Sequence, residues 1–342
     1  MRRLNWFSTT FEKENGYGYW NLQHIRALLL AGIDVHPHLV DILDAPGWLA
    51  HAAGLNFGWL NLSCLPAHTI RNVPGRQWSF SMVEASRAPY EFVERLNSAC
   101  ERLIVPCQQN VDAFKASGVR IPIHIVPGGI DPAAFPLLPD VRRARPYTFL
   151  CLGDRGERKG MQEVLTAFYE LFPEQQYPDV RLIVKARPHM MPAFTNGSHD
   201  DRRVTFWLED VDSMTHVYEA ADCFVYPGYA DGWGLPPREA AAMGLPVIAP
   251  RHSGTQEDLD CWAIPLERFT EQPARTLDVL TLPPDAVWWV PDWKEVGEKM
   301  LWCYQHPELA RLKGRMAAQW LRENQTWAHA AKTLVELIER WA

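Results

Sequence analysis

Tyr226-Pro227-Gly228-Tyr229-Ala230-Asp231-Gly232-Trp233-Gly234-Leu235-Pro236-Pro237-Arg238-Glu239-Ala240 follows directly on the apolar run Cys223-Phe224-Val225. A short apolar run closed by turn residues reads as a strand. The glycines let backbone amides approach a ligand closely. A helix is predicted from Pro237 to Met243, and its start presents free amides and partial positive charge, which suits a phosphate or an array of sugar hydroxyls. Asp231 and Glu239 have seven residues between them. Asp231 precedes the loop and Glu239 sits in the first part of the helix, so the two carboxylates can address opposite ends of one elongated ligand. The bland alternative is a turn residue and a solvated helix residue.

Working outward, Gly153-Asp154-Arg155-Gly156-Glu157-Arg158-Lys159-Gly160 also lies between a strand, Tyr147 to Gly153, and a helix, Met161 to Leu171. It puts Arg158 and Lys159 at a helix start, where cations oppose the helix dipole. An anion bound between them resolves that conflict; a solvated basic turn is the alternative. Val180 to Val184, Val204 to Trp207 and Pro246 to Pro250 read as further strands. Met214 to Ala220 reads as a helix capped by Asp210 or Asp212. Short apolar strands alternating with helices predict a parallel sheet covered on both faces.

In the first half, Arg3 to Ser8 is a strand, Asn15 to Tyr19 a Gly/Tyr loop and Trp20 to Ala31 a helix, one βαβ unit. Ala45 to Ala67 reads as a buried irregular helix, with an interfacial membrane patch as the alternative. Asp131 to Arg145 carries Pro132, Pro136, Pro139 and Arg142, Arg143, Arg145, and reads as an interdomain linker. Trp293 to Ala342 is largely helical. His124 reads as a core residue; His252 is open between a cleft and a loop.

The two loops, their order, and Gly244-Leu245-Pro246-Val247-Ile248-Ala249 together resemble the C-terminal domain of family-4-type retaining glycosyltransferases of the GT-B fold. Val126-Pro127-Gly128-Gly129-Ile130-Asp131 and Phe135 match that family's interdomain segment, so the resemblance runs from Pro89 to Leu266. The first 80 residues match only as strand, glycine loop and helix. The family spaces two acids by seven residues, usually with Glu first. Here Asp231 stands first, which keeps the charge and shortens the reach by a methylene.

The resemblance implies an α/β architecture of two Rossmann-like domains with parallel sheets facing a central cleft. Residues 1–138 would bind the acceptor and 139–305 the nucleotide sugar, with 306–342 as C-terminal helices packing back toward the first domain. It implies that Arg158 and Lys159 hold the donor diphosphate and that Glu239 bonds the donor ribose. Asp231 and the amides of Gly232, Trp233, Gly234 and Leu235 would hold the sugar hydroxyls and phosphate. Gly153 opens the basic donor loop, and Arg155 is a second phosphate contact. Gly16 and Gly18 resemble the loop of the first domain that closes over donor and acceptor. Glu84 falls near the place of a sugar or acceptor contact.

Composition narrows the reading further. A length of 342 residues favours two domains. The net charge is -7 and no long Lys/Arg run occurs, against the basic excess of a nucleic-acid binder. Seven cysteines are scattered without a CxxC pair, which predicts reduced thiols in a cytoplasmic compartment. No signal peptide or long apolar span is read. No convincing ligand cluster is present, so no metal and no cofactor beyond the donor are expected. By the resemblance, the expected reaction is retaining, metal-independent transfer of a hexose from a nucleotide-diphosphate sugar, UDP-glucose by family frequency. The acceptor is an unidentified hydroxyl of a glycan, lipid, small molecule or modified DNA base, and the oligomeric state stays open. Competing readings are a nucleobase-modifying DNA glycosyltransferase, an epimerase or phosphorylase, and a non-catalytic nucleotide-sugar-binding protein.

Overall fold

A computed structural model describes residues 3–13, 16–40, 59–139, 146–153, 156–187, 201–275 and 280–342. The chain divides into two units. Unit 1 comprises Met1–Gly129, Pro273–Val287 and Gln325–Ala342; unit 2 comprises Ile130–Gln272 and Trp288–Asn324. Each unit is thus discontinuous, a property that no single boundary at residue 138 captures.

Unit 1 holds β1 (Arg3–Ser8), α1 (Gly16–Leu30), β2 (Asp34–Leu39), β3 (Leu60–Cys64), β4 (Gln77–Phe80), α2 (Tyr90–Ala99), β5 (Arg102–Val105), α3 (Gln108–Ala116) and β6 (Ile123–Ile125). Its six strands run in the order β2-β1-β3-β4-β5-β6, every pairing parallel. Parallel strands are covered on both faces, which is why β5 is a plain apolar run: Leu103, Ile104 and Val105 are all fully buried. Asn5 and Asn61 interrupt that rule and satisfy each other, Asn5 Nδ2 donating to Asn61 Oδ1 at 2.8 Å.

The last helix, α10 (Trp327–Trp341), also belongs to unit 1. Trp327 meets Trp20 of α1 edge-on at 5.3 Å between ring centres. Gly129 explains the glycine pair before the second unit: a Cβ there would lie 2.3 Å from the Thr326 carbonyl carbon and the Trp327 nitrogen.

Unit 2 holds β7 (Tyr147–Leu152), α4 (Met161–Leu171), β8 (Val180–Lys185), β9 (Val204–Trp207), α5 (Met214–Glu219), β10 (Cys223–Val225), α6 (Leu235–Ala242), β11 (Val247–Pro250), α7 (Leu259–Trp262), β12 (Ile264–Leu266), α8 (Trp293–Gln305) and α9 (Pro307–Asn324). Its six parallel strands run β12-β11-β10-β7-β8-β9. The chain leaves β7 toward one edge and returns to build the other edge from β10. The order therefore reverses between β7 and β10, the point where open α/β sheets bind ligands beyond the carboxyl ends of their strands. Phe149, Phe168, Phe172, Leu182, Val225 and Met300 form the centre of its core. A short ribbon pairs β13 (Phe269–Pro273) with β14 (Val287–Pro291).

Several local expectations change. The Gly/Tyr loop is not a loop from Gly16 onward: Gly16 starts α1 and Gly18 lies within it. Gly18 is there for close packing, since a Cβ would sit 2.1 Å from the Glu12 carbonyl oxygen. Leu60–Cys64, read as helix, is strand β3, because its five residues pair with β1 and β4 on either side. Neither Asp210 nor Asp212 caps α5; Ser213 does, its Oγ accepting from the Thr215 amide at 3.2 Å. Most of Ala45–Ala67 and all of Arg142, Arg143 and Arg145 lie outside the described residues.

Candidate donor site

The loops after β7 and β10 meet because their strands are neighbours at the reversal of unit 2, with Phe149 opposite Cys223 and Leu150 opposite Phe224. The first loop closes in a single turn of 3-10 helix, Gly156–Lys159. Arg158 and Lys159 thus end a tight turn and do not start α4; Gly160, at φ +71°, intervenes and caps that helix. The second loop lies against it: the Tyr229 amide donates to the Arg158 carbonyl at 2.8 Å. A Cβ on Gly160 would come within 2.0 Å of the Pro227 carbonyl oxygen.

Asp231 is the centre of the arrangement. It is 6% exposed. Its Oδ1 accepts from Lys159 Nζ at 2.7 Å and from Arg158 at 3.2 Å, and its Oδ2 accepts from the Tyr226 hydroxyl at 2.5 Å. Lys159 also donates to the Tyr226 oxygen at 2.5 Å, and Arg158 to the Ala230 carbonyl. Burial raises the Asp231 carboxyl; the charges of Lys159 and Arg158, with the bonds from Lys159 and Tyr226, outweigh it and hold the group below the usual carboxylate range. The two cations read as a diphosphate clamp are therefore engaged with the loop carboxylate.

Glu239, in α6, is buried and accepts a hydrogen bond from the Tyr218 hydroxyl at 3.1 Å. Burial pushes its carboxyl up to about 7, partly opposed by that bond. Gly234 caps α6 at φ +83°, and a Cβ there would meet the Thr255 methyl at 2.9 Å. Gly232 and Trp233 are buried and Leu235 is half-buried. Gly153 serves packing: its Cβ would strike Met161 Sδ at 2.8 Å. Arg155 lies outside the described residues. So Arg158, Lys159 and Asp231 are joined directly, with Gly232, Trp233, Gly234, Leu235 and Glu239 following on the same loop and helix.

Gly16, Gly18 and Glu84 belong to unit 1. Glu84 is exposed. Burial, then the Glu84 carboxylate and the Cys64 thiol, raise the Tyr17 hydroxyl, which places the first turn of α1 near the segment after β4.

Three participants were not read from the sequence. Tyr226 completes the Asp231 triad of donors. Arg238 is fully buried, its guanidinium 3.8 Å from the Trp233 ring centre and 4.6 Å from that of Trp262. A cation in the first turn of α6 opposes the dipole, so the argument applied to Arg158 could have flagged it. The third is the turn after β11. Ser253 Oγ accepts from the Asp231 amide at 3.1 Å, and the Gly254 amide donates to the Asp231 carbonyl at 2.8 Å. Beside it His252 is buried, with Nε2 unpartnered, and burial pushes the ring down to about 3 against the raising effect of Asp231.

Among the described residues no group of three or more His, Cys, Asp or Glu could hold a metal ion, and no helix is long and apolar enough to cross a membrane. None of the seven cysteines is in a disulfide.

The protein-family model described as Glycosyl transferases group 1 matches residues 146–277, the stretch that contains both loops. No curated protein matches the sequence. Solved structures are similar over nearly the whole chain. Sucrose-phosphate synthase from Thermosynechococcus elongatus matches with TM-score 0.73 at 15% identity, covering 99% of each chain. Anabaena HepE in complex with UDP-glucose matches with TM-score 0.70 at 14% identity, covering 99% of this chain and 100% of that one. WaaG, a glycosyltransferase involved in lipopolysaccharide biosynthesis, matches with TM-score 0.67 at 14% identity, covering 98% and 99%. Two parallel six-stranded sheets of this type give the chain the GT-B fold, and the group 1 model matches the stretch that carries the loops at the reversal of the second sheet.

Proposed function

We propose that the chain transfers a hexose from a nucleotide-diphosphate sugar to a hydroxyl acceptor with retention of anomeric configuration and without a metal ion. The observation that carries the reading is the meeting of Asp231 with Lys159 and Arg158, on loops at the reversal point of unit 2. In this reading the α6 amides and the two cations face the diphosphate, Asp231 faces the sugar hydroxyls and Glu239 the ribose. The bond between the anomeric carbon and the diphosphate oxygen breaks, and negative charge grows on the departing phosphate. Fixed positive groups at that place stabilise the transition state. The acceptor oxygen bonds to the same face of the sugar, and its proton passes to the departing phosphate, so no protein nucleophile is needed. UDP-glucose is the donor we would test first, since HepE is similar over the whole chain and is seen with it. Thiols outside disulfides suit a reducing, cytoplasmic setting.

A thermal-shift screen of UDP-, GDP- and ADP-sugars tests the donor side. A ligand at 100 times its Kd adds about 2.7 kcal/mol of stability. Transfer of labelled sugar to hydroxyl acceptors, with the anomeric product read by NMR, tests the reaction. A chain that shifts with no sugar nucleotide refutes the reading; one that binds and never turns over is a binding protein.

A further inference from the structure

Arg238 is an expensive residue to bury, and it is held by backbone carbonyls and aromatic faces around the loops after β10 and β11. Its guanidinium donates to the carbonyls of Trp233 and Gly234 on one loop, and to those of Gly254 (3.1 Å) and Glu257 (3.4 Å) on the other. Trp262 closes the far side of the clamp and donates its own Nε1 to the Glu257 carbonyl at 2.9 Å. The two loops touch along their backbones beside it: a Cβ on Gly254 would lie 2.5 Å from the Trp233 nitrogen.

In a trans peptide the carbonyl of one residue and the amide of the next point opposite ways. Carbonyls of Trp233, Gly234 and Gly254 turned onto Arg238 therefore turn the amides of Gly234, Leu235 and Thr255 away from it. Gly234 and Leu235 head α6, where no preceding helical turn exists to accept their amides. We propose that Arg238 is a positioning residue: by gripping these carbonyls from behind it aims the three amides as one cradle for the donor diphosphate. The inference rests on the donor-site reading above and adds to it a cause for the loop geometry. Arg238 itself does not touch the ligand. The planar fork is what the task requires, because it spreads five donors over several carbonyls at once, and a lysine ammonium cannot.

The test uses the full chain with R238K and R238M, each checked for wild-type circular dichroism and Tm. UDP, GDP and ADP are titrated calorimetrically, and the same is done with uridine, guanosine and adenosine. We expect diphosphate affinity to fall at least tenfold in R238K and further in R238M, with nucleoside affinity kept within twofold. Unchanged diphosphate affinity in a folded variant overturns the positioning role and leaves the glycosyltransferase reading standing. Equal losses for nucleoside and diphosphate also overturn it, since that is general collapse of the loops. Wild type that binds none of the three diphosphates overturns the donor-site reading and this inference together. Should neither Arg238 variant fold, W262F loosens the clamp from its other face; a threefold or larger selective loss supports the role, and unaltered affinity counts against it.

Discussion

Lys159 Nζ and Asp231 Oδ1 stand 2.7 Å apart and join two turns separated by 72 positions in the sequence. Arg158 shares the same oxygen. Removing one partner from a buried ion cluster leaves uncompensated charge, which costs about 3–5 kcal/mol. D231N is expected to lower stability by that order, measured by urea unfolding, and to cut transfer at least a hundredfold. Because the Asp231 carboxyl is held below its unfolded value, its contribution is present above the unfolded pKa and is lost as pH falls through the folded one. Wild-type stability in strong acid should fall more steeply than that of D231N.

Glu239 has the opposite sign. Its carboxyl is pushed up to about 7 by burial, so between its unfolded value and 7 the folded protein holds the extra proton. Stability contributed by that proton is present at low pH and lost as pH rises toward and through 7. E239Q is expected to be more stable than wild type at pH 8, by roughly 3 kcal/mol at a conversion of about 1.4 kcal/mol per pH unit. Hydroxyl donors of a ribose would favour the ionised form. Donor binding at pH 6 should then release a proton, detectable as a dependence of calorimetric heat on the buffer's ionisation enthalpy; no dependence would remove Glu239 from the ribose.

Gly160 and Gly234 both have positive φ, at +71° and +83°, but they differ in what a side chain would meet. A Cβ at 160 strikes the Pro227 backbone, which cannot yield without parting the two loops; at 234 it meets side chains alone, the Thr255 methyl at 2.9 Å and, at 3.4 Å, Arg238 and Pro237. The left-handed conformation alone costs a non-glycine residue about 1–2 kcal/mol. G234A should lose that amount, and G160A distinctly more. Equal losses in chemical denaturation would contradict the packing described between the loops.

His24 sits in unit 1 among Trp20, Phe80 and Trp327, with ring centres 4.9–5.1 Å away. Burial pushes it down to about 4, against the raising effect of its bond to the Trp20 carbonyl. The unfolded chain takes up a proton below about 6.5 and the folded one only near 4, so stability should fall as pH drops through that window. H24F fills the same aromatic box without a titratable ring. The difference in stability between wild type and H24F should shift by about 2–3 kcal/mol between pH 7 and pH 4; a pH-independent difference would contradict a neutral, buried His24.

The glycine-rich loop after β10 was legible in the sequence because its signals are local. Gly232, Gly234, the following prolines and Glu239 act within a few residues of one another, and α6 forms next to them as that spacing predicts. The basic turn was legible in composition and misread in form. Nothing local distinguishes cations that start a helix from cations that end a 3-10 turn, and the difference lies in the left-handed Gly160 packed on Pro227. Gly16 and Gly18 mislead for a related reason. Glycine permits a loop, but here Gly18 is required by the approach of Glu12 inside a helix. Strand β3 was lost in an apolar, Trp-rich stretch whose period is uninformative when both faces are buried.

The sequence by itself determined the alternation of strands and helices, the glycine-bearing turns after β7 and β10, and the kinds of charge those turns carry. These follow from backbone preferences and apolar periodicity, which act over short stretches of chain. Only the tertiary structure decided that Asp231 occupies both cations, that Arg238 grips two loops from beneath, and that Gln325–Ala342 joins unit 1. Such partnerships depend on which strands become neighbours in the sheet. That order is fixed by the packing of the whole unit, because a contact across many intervening residues forms only once the crossovers between them are in place.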